Sequence, residues 1–340
     1  MKEATPLVSV VIPCFNAGKF VEAAVRSIME QSYTNLEIIT IDDCSTDNTN
    51  AILKKLSLED ARIVLLLNEK NFGIASTLNK GIHIARGKYI ARMDADDISV
   101  AERISMQLQY LEANSNVAMC GANYIMIDEN GNKTGRLKFP QHDENIKAEL
   151  LFYCPFCHPT VMMRKDIYNT IDVFQQSLVP AEDYELWIRV AEKFSVENLP
   201  DFLLYYRWHG NNITISKKQE QYKALQSAVE NNVSSFGFAE NFLSYHLKFL
   251  AGLWYEKTSG KEINGFTYWK KDLLNKNKKN GLFKPTALKA TFNKYYSLAM
   301  LSIIKSKENT LHIKLLAFQK LLFINPFITL NNFKAKKELN

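Results

Sequence analysis

The sequence predicts an α/β fold, a mainly parallel sheet with flanking helices, followed by an all-α C-terminal region. Three observations carry this. Four short apolar runs near the N-terminus alternate with helical periodicities, the pattern of consecutive βαβ units with right-handed crossovers. The fourth run ends in carboxylates, and open parallel sheets bind ligands at the carboxyl ends of their strands. Beyond Ser216 only helical periodicity remains, and the charge changes with it. Residues 216–340 hold 21 Lys, no Arg and 8 acidic residues, a balance of +13, whereas 1–215 carry −7. Two domains are therefore expected, 1–215 and 216–340.

Residues 7–13, LVSVVIP, form a nearly continuous apolar run closed by Pro13, as a buried parallel strand does. Phe20, Ala24, Val25, Ile28 and Met29 then repeat at helical spacing. The second strand, 36–41, ends at Asp42 and Asp43, and CSTDNT caps a helix through 51–56. A third strand is expected at 62–67, and NFGIASTLNKGIHIARG is a Gly-bounded helix. It leads into KYIARMDADD (88–97), whose strand should stop at about Met93 because acidic residues are poor strand formers. A helix at 101–113 follows, then a hairpin, 117–127 turning through DENGN into RLKF. HPTVMM (158–163) reads as a strand, Ala181–Phe194 as a helix burying Leu186, Trp187, Val190 and Ala191, and Phe202–Trp208 as the last strand. Helices are expected at 220–236, 240–257, 261–275, 285–304 and 309–323.

At 340 residues and 46% hydrophobic content, the chain can bury a large core plus a smaller one. The N-terminal MKEATPLVSVVIPCF lacks the basic-then-apolar pattern of a signal peptide. The longest apolar stretch, Leu315–Leu330, is interrupted by Gln319, Lys320, Asn325 and Pro326, short of the ~18–20 residues a spanning helix needs. Five cysteines are an odd count with no disulfide framework, so a reduced, cytoplasmic setting is expected. CPFCH (154–158) matches redox and haem-attachment spacings, but it follows the acidic site, and no export signal accompanies it. Cys154 and Cys157 are expected as packing residues. Nucleic-acid binding is not expected of the basic tail, which lacks Arg and whose aromatics fit helix packing.

Asp94 and Asp96, spaced D-x-D, are hard oxygen ligands suited to Mg²⁺ or Mn²⁺ carrying a diphosphate. The competing reading is an acidic turn capping a helix that starts near Ser99.

The motifs VSVVIPCFN (8–16), IDDCSTDNT (41–49), NFGIASTLNKG (71–81), ARGKYIARMDADD (85–97), HPTVMMR (158–164), AEDYELWIR (181–189) and YRWH (206–209) occur in one order over about 210 residues. In these the chain resembles the family 2 glycosyltransferases, inverting enzymes of the GT-A (Rossmann-like) fold that use nucleotide-diphosphate sugars. The resemblance implies that Pro13, Phe15 and Asn16 border the nucleotide base and that Asp43 accepts its ring N–H. A carboxylate suits uracil N3–H, so a UDP-sugar donor is expected, with dTDP less favoured. Asp42 is implied as a structural or ribose contact, and Asn71, Gly73, Asn79 and Ala95 as members of the donor site. Asp94 would hold the ribose or a metal-bound water, and Asp96 the Mn²⁺ or Mg²⁺. His209 would add a further metal or phosphate contact, and Arg207 positive charge. Asp183 is the implied general base, with Glu182 as its backup, and His158 and Pro159 shape the acceptor side. The acceptor implied is a saccharide or lipid-linked saccharide of a bacterial surface polysaccharide. An inactive nucleotide-sugar-binding scaffold and a protein or small-molecule acceptor are the alternatives. The Lys-rich tail fits peripheral contact with the inner face of the cytoplasmic membrane, or packing on the core or on a second copy in a homo-oligomer.

Overall fold

In the computed structural model, strand β1 (Val8–Cys14) is buried along its whole length. It lies between β2 (Leu36–Asp42) and β4 (Tyr89–Arg92), parallel to both, and β3 (Ile63–Leu67) extends the parallel set beyond β2. The residues described are 5–209 and 258–324, with a few helical ones between them (220, 223–225 and 227–228). Helices α1 (Val21–Met29), α2 (Thr49–Glu59) and α3 (Ile74–Ile84) make the crossovers. Helix α3 closes tightly on the sheet at Gly81, where a Cβ would sit 2.5 Å from Val11 Cγ1 and 2.9 Å from Ile41 Cδ1. The start of β4 is fixed by a polar set around buried Ser9 and Glu37. Ser9 Oγ donates to Glu37 Oε2 (2.7 Å) and accepts from Gly87 N (2.9 Å), and Arg86 Nε donates to Glu37 Oε1 (2.6 Å).

Further along are β5 (Ile98–Ser99), α4 (Arg103–Ala113), β6 (Val117–Ile127), β7 (Lys133–Leu137), α5 (Asp143–Glu149), β8 (Met162–Arg164), α6 (Glu182–Lys193) and β9 (Ser195–Arg207). The sheet order is β3-β2-β1-β4-β8-β6-β9-β5, with β7 paired to β6. β8 runs antiparallel between β4 and β6, so the parallel half is continued by a mixed half.

Several expectations are corrected. His158–Thr160 is a 3₁₀ turn, and the strand expected over 158–163 begins only at Met162. β9 starts at Ser195, not Phe202: SVENLPDF holds poor strand formers, but Pro200 and Asp201 fall where the register against β6 slips between Ala122 and Asn123. No helix starts near Ser99, because Ile98–Ser99 pairs with β9 and α4 begins at Arg103. Helix α5 falls in a segment where no element was expected.

The chain divides into two compact units, 1–143 with 155–221, and 144–154 with 222–340. The division is thus not a single cut, since a short segment after α5 begins goes with the helical unit. That unit contains α7 (Gly260–Asn280), α8 (Pro285–Lys305) and α9 (Leu311–Ile324). Helix α7 opens on a capping box between Ser259 and Glu262 and ends at Gly281, whose left-handed φ of 64° suits glycine. Phe266, Trp269, Phe292 and Tyr296 form the core with Leu151 and Phe152, and buried Glu149 accepts from Lys294 Nζ (2.6 Å) and Tyr295 Oη (2.5 Å). The helices expected over 220–236 and 240–257 lie largely outside the described residues. Among the described residues no helix is long and apolar enough to cross a membrane.

Candidate active site

The carboxyl ends of β1 and β2 build the first part of the site. Asn16 sits at φ 48°, a region Asn tolerates, and its Oδ1 accepts from Thr46 N (2.9 Å) and Oγ1 (3.2 Å). Pro13 lies within β1, and Phe15 next to Asn16 is half exposed. Asp42 is buried and structural, accepting from Ser45 N (3.1 Å) and Asn50 Nδ2 (2.8 Å). Asp43, equally buried, organises the loop after β3. Its Oδ1 accepts from Asn68 Nδ2 (2.7 Å) and Phe72 N (2.9 Å), and its Oδ2 from Gly73 N (2.9 Å). A carboxylate offers about four acceptor positions, so Oδ2 retains capacity for another donor. Asn71 Oδ1 accepts from Gly73 N (3.0 Å), where φ is +83° and α3 begins. Asn79 uses both ends of its amide on the backbone of Phe174 (2.8 and 3.0 Å), so it positions the 174–176 segment. A hollow of about 460 Å³ is lined by Leu67, Asn68, Phe72, Ser76 and Lys80.

The acidic turn between β4 and β5 is the second part. Ligand oxygens of Asp94, Asp96 and Asp97 lie within 4.8 Å of one another. Arg207, at the end of β9, clamps this turn. Its N–H donates to Asp97 Oδ1 (2.7 Å), Nε to Asp96 O (2.8 Å), and Nη1 to Asp128 O and Glu129 O (3.1 Å each). The guanidinium also covers the Phe20 ring at 4.7 Å, and His209 stacks on the same ring at 5.3 Å. His209 Nε2 lies 2.8 Å from Asp96 Oδ2, so YRWH meets the D-x-D turn. Arg207, which the resemblance implies as positive charge at the donor, also supports the turn's backbone.

Burial, and then the neighbouring carboxylates, push Asp97 well above the usual carboxylate range, and its Oδ2 is buried without a hydrogen-bond partner. Asp94 is raised by burial too, against the pull of Arg92, whose Nη1 meets its Oδ2. Three crowded carboxylates, one with an unmatched buried oxygen, beside an imidazole nitrogen are a donor set that fits Mn²⁺ or Mg²⁺.

The third part is the start of α6. Asp183 Oδ1 accepts from Tyr184 N (2.7 Å), and Oδ2 lies 3.6 Å from His158 Nδ1. Burial raises Asp183 above the usual range; burial and the Asp183 charge push Glu182 up to about 7. Arg92 is the residue the sequence reading missed. Buried on β4, it acts electrostatically on Asp94, Asp97 and Asp183 alike. Phe20, expected only as part of a helical period, is the shared platform for Arg207 and His209. The five cysteines are free, and burial raises the Cys157 thiol well above its ordinary value, which suits packing.

Residues 9–172 match Glycosyl transferase family 2. An uncharacterized glycosyltransferase of Haemophilus influenzae is 35% identical over 243 residues, 69% of this chain and 75% of that one. The Escherichia coli UDP-Glc:alpha-D-GlcNAc-diphosphoundecaprenol beta-1,3-glucosyltransferase WfgD is 32% identical over 247 residues, 71% of this chain and 94% of its own. Among solved structures, S. aureus TarS 1-349 in complex with UDP superimposes with a TM-score of 0.55 at 15% identity, over 95% of this chain and 91% of that one. The mannosyltransferase PcManGT from Pyrobaculum calidifontis, in complex with GDP-Man and Mn²⁺, gives 0.56 at 16% identity, over 95% and 89%. The fold is of the GT-A type, and the chain belongs to glycosyltransferase family 2.

Proposed function

We propose that this glycosyltransferase moves a sugar, with inversion, from a UDP-linked donor to a hydroxyl of a saccharide acceptor in bacterial surface polysaccharide synthesis. The observation that carries the reading is the meeting of the D-x-D carboxylates with His209 (2.8 Å from Asp96), while buried Arg92 links them electrostatically to Asp183. The remaining acceptor capacity of Asp43 Oδ2 supports a base with a ring N–H, as uracil has. The donor and the diphosphoundecaprenol-linked acceptor in the name of WfgD support a UDP-hexose and a lipid-linked saccharide here.

In the reaction Asp183 takes the acceptor hydroxyl proton as that oxygen attacks the anomeric carbon from the face opposite the diphosphate. The new glycosidic C–O bond forms as the bond to the nucleotide diphosphate breaks. Burial raises Asp183 and so strengthens it as a base. Glu182, pushed up by burial and by the Asp183 charge, stands beside the base and orients the acceptor. Asp94, Asp96 and His209 would hold Mn²⁺ or Mg²⁺, which stabilises negative charge on the departing diphosphate. Arg207 keeps the carboxylates in register by gripping the backbone they stand on.

The location that fits such an acceptor is the inner face of the cytoplasmic membrane. Leu311, Leu315, Phe318 and Leu322 of α9 are exposed at 40–72%, and residues 311–324 contain Lys314 and Lys320 but no acid. An apolar stripe with basic neighbours suits an anionic surface.

The test is nucleotide release from UDP-glucose, UDP-N-acetylglucosamine, dTDP-glucose and GDP-mannose with Mn²⁺, using GlcNAc-diphosphoundecaprenol as acceptor. A uridine donor should react, giving inverted configuration at the anomeric carbon. Turnover of GDP-mannose alone, or retained configuration, would contradict the reading.

A further inference from the structure

We infer that His158 is a positioning residue for the general base, its Nδ1–H held against the Asp183 carboxylate by a rigid turn and an aromatic box. The inference rests on the reading of Asp183 as the base.

The turn that carries His158 is fixed from several sides. Thr160 Oγ1 donates to Cys157 O (2.8 Å) and accepts from Ala122 N (3.0 Å), and Gln107 Nε2 donates to Thr160 O (2.7 Å). The His158 ring is held by Phe174 at 5.4 Å and by the edge of Trp187 at 5.6 Å, and its side chain is only 10% exposed. One ring nitrogen faces a carboxylate oxygen at 3.6 Å, and the other, Nε2, is buried with no hydrogen-bond partner.

That geometry chooses the tautomer. A proton on Nε2 would bury an unmatched N–H and point the Nδ1 lone pair at a carboxylate. A proton on Nδ1 faces the carboxylate with a donor and leaves only a bare lone pair unmatched, the cheaper of the two defects. The imidazolium is disfavoured by burial and by the charge of Arg92. The 3.6 Å separation is longer than a hydrogen bond, as catalytic pairs without substrate often are. Asp183 Oδ1 is already pinned by Tyr184 N, so a second donor at Oδ2 fixes the plane of the carboxylate. Beside this pair, Glu182 Oε2 and Trp187 Nε1 are also buried without partners, a concentration of unmatched polar atoms typical of a functional site.

The test is ¹⁵N NMR of the full chain labelled at its six histidines, with the His158 signals identified by their loss in His158→Gln. The expected result at pH 7 is a neutral Nδ1–H ring whose proton shift changes in Asp183→Asn. An Nε2–H tautomer, an imidazolium, or signals indifferent to Asp183→Asn would overturn the inference. Turnover supplies the second readout, as metal-dependent UDP release from UDP-glucose. His158→Gln should lose about 10–100-fold in kcat with the donor KM unchanged, the usual effect of an outer hydrogen-bond partner. His158→Asn, whose amide nitrogen takes the place of Nδ1, should recover most of that loss; equal activities of the two variants would count against positioning. If Asp183→Asn itself turns over normally, the base assignment falls, whatever tautomer His158 shows.

Discussion

Glu182→Gln removes a titrating group that the fold holds in an unfavourable environment, and the size of the effect follows from the structure. Glu182 is 6% exposed, next to Asp183 and within reach of Asp94, and these push its pKa from 4.5 to about 7. A carboxyl raised in the folded state contributes stability that is fully present below about 4.5 and lost as the pH rises through about 7. At ~1.4 kcal/mol per pH unit, the loss between pH 4.5 and 8 is about 3 kcal/mol. Gln fills the same volume and does not titrate. The variant should lie within about 1 kcal/mol of the wild type at pH 5 and exceed it by about 3 kcal/mol at pH 8. Urea denaturation in EDTA at both pH values, followed by tryptophan fluorescence, measures the difference. A gap between wild type and variant that is the same at pH 5 and pH 8 would refute the reasoning, because it would place the Glu182 proton outside the folding equilibrium.

Other consequences are as direct. Asp96→Ala and His209→Ala should each weaken Mn²⁺-dependent UDP binding by tenfold or more, at ~1.4 kcal/mol per tenfold; calorimetry with unchanged affinity would remove them from the metal set. Arg207→Met leaves three backbone carbonyls without their donor and should destabilise the catalytic unit by about 3 kcal/mol. Denaturation midpoints read this, and a loss under about 0.5 kcal/mol would mean that water replaces the clamp. Gly81→Ala drives a methyl to 2.5 Å from Val11 Cγ1 and should cost about 1–3 kcal/mol, with a lowered Tm as the observable.

The parallel half of the sheet was legible because each strand is a compact apolar run and each crossover a clean helical period. Val8–Cys14 is buried along its length, as its composition requires. The mixed half was less legible because partners rather than propensity decide there. SVENLP becomes a strand only by pairing with β6 around a register slip, and HPT forms a turn although Val161 and its neighbours are good strand formers. The carboxylates of the site could be read individually, but their supports could not. The guanidinium of Arg207 rests on the carbonyls of Asp96, Asp128 and Glu129, which lie far from it in sequence. The amide of Asn79 brackets the backbone of Phe174, 95 residues away. Side-chain commitments to distant backbone leave no trace in local pattern.

The most direct test of the central claim is the Tm of the full chain against UDP, dTDP, GDP and CMP, each with and without Mn²⁺. Ligand that binds only the folded state raises Tm by mass action, about 2.7 kcal/mol at a hundredfold excess over Kd. A shift with UDP that requires Mn²⁺, is lost in Asp96→Ala and survives in Asp183→Asn is expected. A shift with GDP or CMP but not UDP, or no shift with any of them, would contradict it.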